Sequence, residues 1–169
     1  MATSNRTPLE PTPSLAHRVV GTLIAIVACN AVGVAGALFT ATDTAWYTNL
    51  VKPAFQPPGW IFGPMWTLLY SLMGVALYRM VERRNREGAR TALWLFAAQL
   101  FLNGIWSPIF FGAQAITFAL VVIGMLVVAV AFTIARFWKI DRAAGALLVP
   151  YLAWIAFATI LNATLVHLN

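Results

Sequence analysis

The sequence predicts an all-α integral membrane bundle of five transmembrane helices. Three observations carry this. The 169 residues are 61% hydrophobic and only 9% charged, too little polar surface for a globule in water, where about 25% charged residues is usual. Charge-free runs extend over Val19–Thr42, Trp60–Tyr78, Thr91–Ala135 and Ala143–Asn169. The basic residues fall between these runs and alternate with them in a pattern that fits five crossings.

Each span follows from the need for roughly 20 apolar residues at 1.5 Å rise. The run Thr91–Ala135, at 45 residues, would form a helix of roughly 68 Å, too long for one crossing. It must fold back at GAQA, Gly112–Ala115, just after Pro108. The expected spans are 18–41, 60–81, 91–111, 115–138 and 144–167. Residues 1–16, rich in Thr, Ser and Pro, read as a disordered tail, and 17–169 as one transmembrane domain. The first apolar run exceeds the roughly 7–15 residues of a signal-peptide core, so it is expected to remain as a span.

With five spans, one face holds Arg6, Arg18, Arg79, Arg83, Arg84, Arg86, Arg90, Arg136, Lys139 and Arg142, and the other holds only Lys52. Ten against one predicts a cytoplasmic N-terminus and a C-terminus on the opposite side. The same pattern accounts for the net charge of +6 through topology, without a nucleic-acid partner. The Arg-rich loop is an orientation signal with anionic lipid as a further contact. The lone Cys29 is expected to be a small packing residue and excludes an internal disulfide.

Aromatics and amides mark the candidate site. Trp46, Trp60, Trp94 and Trp138 fall near span ends, as interfacial tryptophans do. Trp66, Trp106 and Trp154 lie deeper, as do Asn30, Gln99, Asn103 and Asn162. A buried amide must find a partner, either a neighbouring helix or a ligand, and both readings stay open. Trp66 and Tyr70 share a helix face, as do Asn103, Trp106 and Phe110, and as do Trp154, Ala158 and Asn162. If these faces meet they enclose an aromatic pocket with a few amides, suited to a flat apolar molecule with polar edges. Close aromatic packing explains the same spacing. No metal-ligand set, nucleophile–base pair or phosphate loop is seen, and His17 and His167 fall on opposite faces. No carboxylate lies well inside a span, which argues against an ion-coupled pump.

Three stretches, WYTNLVKPAFQPPGWIFGPMWTLLY, AAQLFLNGIWSPIFFG and FWKIDRAAGALLVPYLAWIAFATILN, resemble the tryptophan-rich sensory protein (TspO/MBR) family, also called the translocator protein or peripheral-type benzodiazepine receptor family. The resemblance covers about 19–169. It implies a five-helix bundle, often a homodimer, that binds porphyrins such as protoporphyrin IX, with no required cofactor. It places ligand contacts on Tyr47, Trp66, Tyr70, Asn103, Phe110, Trp154, Ala158 and Asn162, beside Trp106 from the spacing above. The loop 42–59, with Trp46, Lys52, Pro53, Pro57 and Pro58, becomes a lid, its prolines lowering the entropy lost on closing. The chain departs from the family at Val122, where many members carry an acid, and at the end of the last span. There LNATLVHLN lacks the sterol-associated Tyr-Arg element, leaving only a loose pattern at Val75, Tyr78 and Arg83.

Three functions follow in order of weight. The first is a membrane receptor or carrier for tetrapyrroles. The second is a regulator or scaffold, in which Gly33, Gly36, Ala97 and Gly104 support helix contacts within or between chains. The third is an enzyme: some family members promote light- and oxygen-dependent porphyrin breakdown through deep tryptophans, matched here by Trp66 and Trp154. A bacterial cell envelope is the expected location, because the N-terminus does not read as an amphipathic transit peptide.

Overall fold

The structure, a computed structural model, describes residues 14–169. The tail expected over 1–16 lies outside the described residues up to position 13, and Leu15 and Ala16 already belong to the first helix. The described residues form α1 (Leu15–Ala37), α2 (Ala45–Asn49), a 3-10 turn (Gly59–Ile61), α3 (Phe62–Val81), α4 (Ala89–Ser107), a π-helical turn (Pro108–Gly112), α5 (Ile116–Ile140), α6 (Arg142–Leu147) and α7 (Val149–Leu168). Five helical stretches are long and apolar enough to cross a membrane: Leu15–Ala37, Gly59–Val81, Ala89–Gly112, Ile116–Ile140 and Arg142–Leu168. The protein is a multi-span membrane bundle with no strand among the described residues.

Three boundaries differ from expectation, each for a local reason. The first span begins at Leu15 rather than 18 because Ser14 caps it, accepting from the His17 amide at 3.3 Å. It also ends earlier, at Ala37. The loop 42–59 is not irregular throughout. Thr44 caps the short helix α2, accepting from the Tyr47 amide at 3.3 Å. The last span is two helices joined at Leu148, where Pro150 has no amide hydrogen to continue the ladder. The predicted break at GAQA is present: the π turn ends at Gly112 and Gln114 takes a positive φ of 56° before α5.

The helices form a ring in the order α1, α3, α6 with α7, α5, α4, closing back on α1. The closest crossing is α1 on α3. A Cβ on Gly74 would lie 2.4 Å from the Ile26 Cα, and one on Gly33 would lie 2.2 Å from the Tyr70 ring. At Gly74 the neighbour is backbone and only glycine fits, whereas at Gly33 a side chain would have to displace the Tyr70 ring. The same crossing holds Asn30, whose Nδ2 donates to Ser71 Oγ at 3.3 Å and to the Ile26 carbonyl at 3.0 Å. Cys29, fully buried, is the expected packing residue.

The Arg-rich ends are tied together. Asp141 accepts from Arg79 Nε at 3.0 Å and Nη2 at 3.2 Å, and Arg83 Nη1 lies 2.9 Å from its carboxylate. The same carboxylate caps α6, accepting from the amides of Ala143 and Ala144. Arg18 pairs with Glu82 at 3.2 Å, and Arg86 donates to the Ile140 carbonyl at 3.3 Å. These contacts join the start of α1, the end of α3 and the α5–α6 turn at one end of the bundle. At the other end, Asn169 holds the loop after α2: its Oδ1 accepts from the Val51 amide at 2.9 Å and its Nδ2 donates to the Val51 carbonyl at 3.1 Å.

Candidate ligand site

The deep aromatics gather in two groups. The first lies between α3, α4 and α7. Trp66 packs on Tyr70, with ring centres 5.5 Å apart, and edge-on to Tyr151 at 6.3 Å. The Tyr70 hydroxyl donates to Asn103 Oδ1, and Asn103 Nδ2 donates to the Tyr151 hydroxyl at 2.8 Å. Three helices are thus joined by one buried chain of hydrogen bonds. Its polar atoms are satisfied, as a low-dielectric interior demands. Trp154 sits one turn along α7 from Tyr151, flanked by Phe62 and Phe157 with ring centres 5.8 Å away on each side.

This first group occupies a wedge. α3 packs on α6 but diverges from α7, which keeps its close backbone contacts for α5. Phe62, Trp66, Tyr151 and Trp154 fill the opening space with rings in place of backbone. Phe55, from the loop, reaches the same region and lies edge-on to Phe157 at 6.3 Å.

The second group lies under α2. Trp106 stacks on Phe110 at 4.9 Å, Trp46 meets Phe110 edge-on at 5.8 Å, and Tyr47 lies 5.4 Å from Phe111. The π turn produces this arrangement. Its wider i→i+5 bond, Ala113 amide to Pro108 carbonyl at 2.9 Å, keeps both Phe110 and Phe111 on Trp106. Trp106 Nε1 donates to Asn162 Oδ1 at 3.4 Å, and Asn162 Nδ2 donates to the Ile116 carbonyl at 3.0 Å. Trp106 also packs against the main core, so it links the two groups.

The expected contacts therefore divide. Trp66, Tyr70, Asn103, Trp154 and Ala158 belong with the main core, while Tyr47, Phe110 and Asn162 belong with the second group. Phe62, Tyr151 and Phe157 were not anticipated. The signal was available: Tyr151 and Phe157 stand three residues either side of Trp154, and Phe62 stands four before Trp66. Of the residues expected to form a lid, Lys52 has its Nζ 4.4 Å from the Tyr47 ring centre, a cation–π contact. Gln56 Nε2 donates to the Tyr47 hydroxyl at 3.3 Å. Pro53 and Pro57 are half-buried, and Pro58 stands immediately before the 3-10 turn. Trp60, Trp94 and Trp138 are exposed, whereas Trp46 is half-buried against Phe110.

Among the described residues, two buried side-chain polar atoms have no hydrogen-bond partner, Trp154 Nε1 and Gln99 Oε1. Gln99 faces the core, its other amide atom 4.0 Å from the Met73 sulfur. Trp154 Nε1 instead belongs to the aromatic wedge under the loop.

The match to known proteins is decisive for the family. Residues 25–168 match the model of the TspO/MBR family. The chain belongs to the TspO/MBR family. It is 43% identical over 143 residues to the tryptophan-rich protein TspO of Chlorobaculum tepidum, covering 83% of this chain and 90% of that protein. It is 42% identical over 144 residues to the tryptophan-rich sensory protein of Cereibacter sphaeroides, covering 85% and 88%. The human translocator protein is 43% identical over 119 residues, covering 69% of this chain and 70% of the human one. The buried polar bridge of this TspO/MBR member, Tyr70, Asn103 and Tyr151, lies wholly within the matched region.

Proposed function

We propose that this protein is a membrane receptor or carrier that binds a flat tetrapyrrole such as protoporphyrin IX in the wedge between α3 and α7. Family membership supports the ligand class. The single observation that carries the location is the Trp154 indole N–H, buried without an acceptor among Phe62, Phe157 and Tyr151-bearing α7. An unmet buried donor costs about 1–3 kcal/mol, which an acceptor on a ligand would recover. Trp66 and Trp154 supply the faces on which a macrocycle stacks. The loop 42–59 is the lid, and Lys52 is the cation available to a propionate. Asn103 acts by holding Tyr70 and Tyr151 in place as walls, in addition to any contact of its own. The N-terminus is assigned to the cytoplasmic face on the charge asymmetry.

Porphyrin titration of the purified protein, read by quenching of tryptophan emission, tests this. Trp154→Phe keeps an aromatic ring but removes the donor together with the pyrrole part of the indole, so affinity is expected to fall at least about five-fold, the loss of one net hydrogen bond plus some stacking area. Trp66→Ala is expected to fall further. Helix content by circular dichroism checks that both variants fold. Unchanged affinity in both would remove the wedge as the site.

A further inference from the structure

The basic end of the bundle has concave surface of its own. A concavity there is lined by Arg18, Glu82, Arg83, Asn85 and Arg86. A groove continues from it along α1, past Val19 and Leu23, with Arg18 belonging to both. Val19 and Leu23 are 50% and 55% exposed, on the outer face of α1. The concavity is polar and the groove is apolar, and they meet at one guanidinium.

The arginines are held but not used up. Arg18 gives its Nε to Glu82, Arg83 gives its Nη1 to Asp141 and the Arg79 carbonyl, and Arg86 gives its Nη1 to the Ile140 carbonyl. In each case the described contacts take one nitrogen of a group with five N–H donors. The remaining donors stay available on side chains whose position is already set. Arg18 pairs with Glu82 and Arg79 and Arg83 pair with Asp141, while Arg86 meets only the Ile140 carbonyl, so these four arginines and two carboxylates leave a surplus of two positive charges. Forks of this kind match phosphate oxygens.

We propose that this concavity binds the phosphate headgroup of an anionic phospholipid, with one acyl chain lying in the groove beside Val19 and Leu23. Charge complementarity selects the headgroup. The apolar continuation on a membrane-facing helix selects a lipid over a free anion. The site lies at the opposite end of the bundle from the aromatic wedge, so the two can be occupied together.

Native mass spectrometry of the full chain, with phosphatidylglycerol and phosphatidylcholine of matched acyl chains, tests the proposal. Phosphatidylglycerol is expected to stay bound at collision energies that strip phosphatidylcholine. Arg18→Gln and Arg86→Gln are each expected to weaken phosphatidylglycerol retention about five-fold. Arg90→Gln removes the same charge outside the concavity and is expected to leave retention unchanged. Thermal melts show whether each variant folds, and Arg86→Gln alone suffices if Arg18→Gln does not. Equal retention of the two lipids, or an equal loss in Arg90→Gln, would overturn the site. Displacement of phosphatidylglycerol by an equal concentration of soluble glycerol phosphate would overturn the lipid reading in favour of a free phosphate.

Discussion

Gly74 shows how much one residue decides. A side chain there would overlap the backbone of Ile26, and a backbone cannot rotate away as a rotamer can. Gly33 is different, because its neighbour is the ring of Tyr70. A methyl at position 33 would displace that ring, whose hydroxyl is bonded to Asn103, and disturb the buried hydrogen-bond chain. Gly74→Ala is expected to lower stability by about 1–3 kcal/mol, the usual cost of overpacking, read as a lower melting temperature in detergent. A melting curve equal to the parent would mean that α1 and α3 separate freely. The need for a small residue at position 74 was not visible in the sequence, because a glycine in an apolar helix can be packing, dimer contact or neither. Gly33, Gly36 and Gly104, read as helix contacts within or between chains, face Tyr70, Ser107 and Val32 of the same chain. Of the four deep amides, Asn30, Asn103 and Asn162 each bridge helices, which is the helix-glue reading of their position.

At the scale of elements, the loop 42–59 is held by attachments of two kinds. Tyr47 and Trp46 bring α2 down on the π turn through aromatic contacts. Asn169 grips Val51 by both backbone groups. The second attachment is two exposed hydrogen bonds and is the weaker. Asn169→Ala is expected to raise amide exchange across residues 50–58 and to speed both entry and release of porphyrin, with a smaller change in equilibrium affinity. If exchange there does not change, the aromatic contacts alone hold the loop. The long elements were legible because charge-free runs of span length leave few alternatives. Helix α2 was not, since five residues are too few for a periodic signal and only Thr44 hinted at a start. The split of the last span at Leu148 follows from Pro150, a signal that an apolar count ignores. The division of the aromatics into two groups needed the π turn, which no spacing rule for an α-helix contains.

For the whole molecule, Asp141 is the fastening. Burial pushes its carboxyl pKa up, but the hydrogen bond from Arg79, the Ala144 amide and the charges of Arg79 and Arg83 outweigh that and hold it below the ordinary carboxylate value. A depressed folded pKa gives stability that is complete above the unfolded value of about 4. That stability is lost as pH falls through the lower folded value. Asp141→Asn is therefore expected to melt at a lower temperature than the parent at neutral pH, and the gap is expected to close as the buffer is taken below about pH 4. A gap that stays constant down to the lowest pH at which both fold would show that the charge of Asp141 contributes nothing to the joint. Of the ten basic residues counted on this face, Arg18, Arg79, Arg83 and Arg86 make the contacts that hold it together. The sequence placed the charges on one face through topology, but could not say which of them meet, because that depends on how helices far apart in the chain turn their ends.

The divergence of α3 from α7 has a consequence for how occupancy is counted. The rings that fill the space between α3 and α7 lie in a seam between neighbouring helices of the ring, and the outer side of that seam faces hydrocarbon. At the proposed site, a ligand that dissolves in the bilayer would reach Trp154 from the lipid phase, and the concentration that fills the site would be the one in the membrane. A dissociation constant expressed per litre of buffer would shift with the amount of lipid in the cuvette, although nothing about the protein had changed.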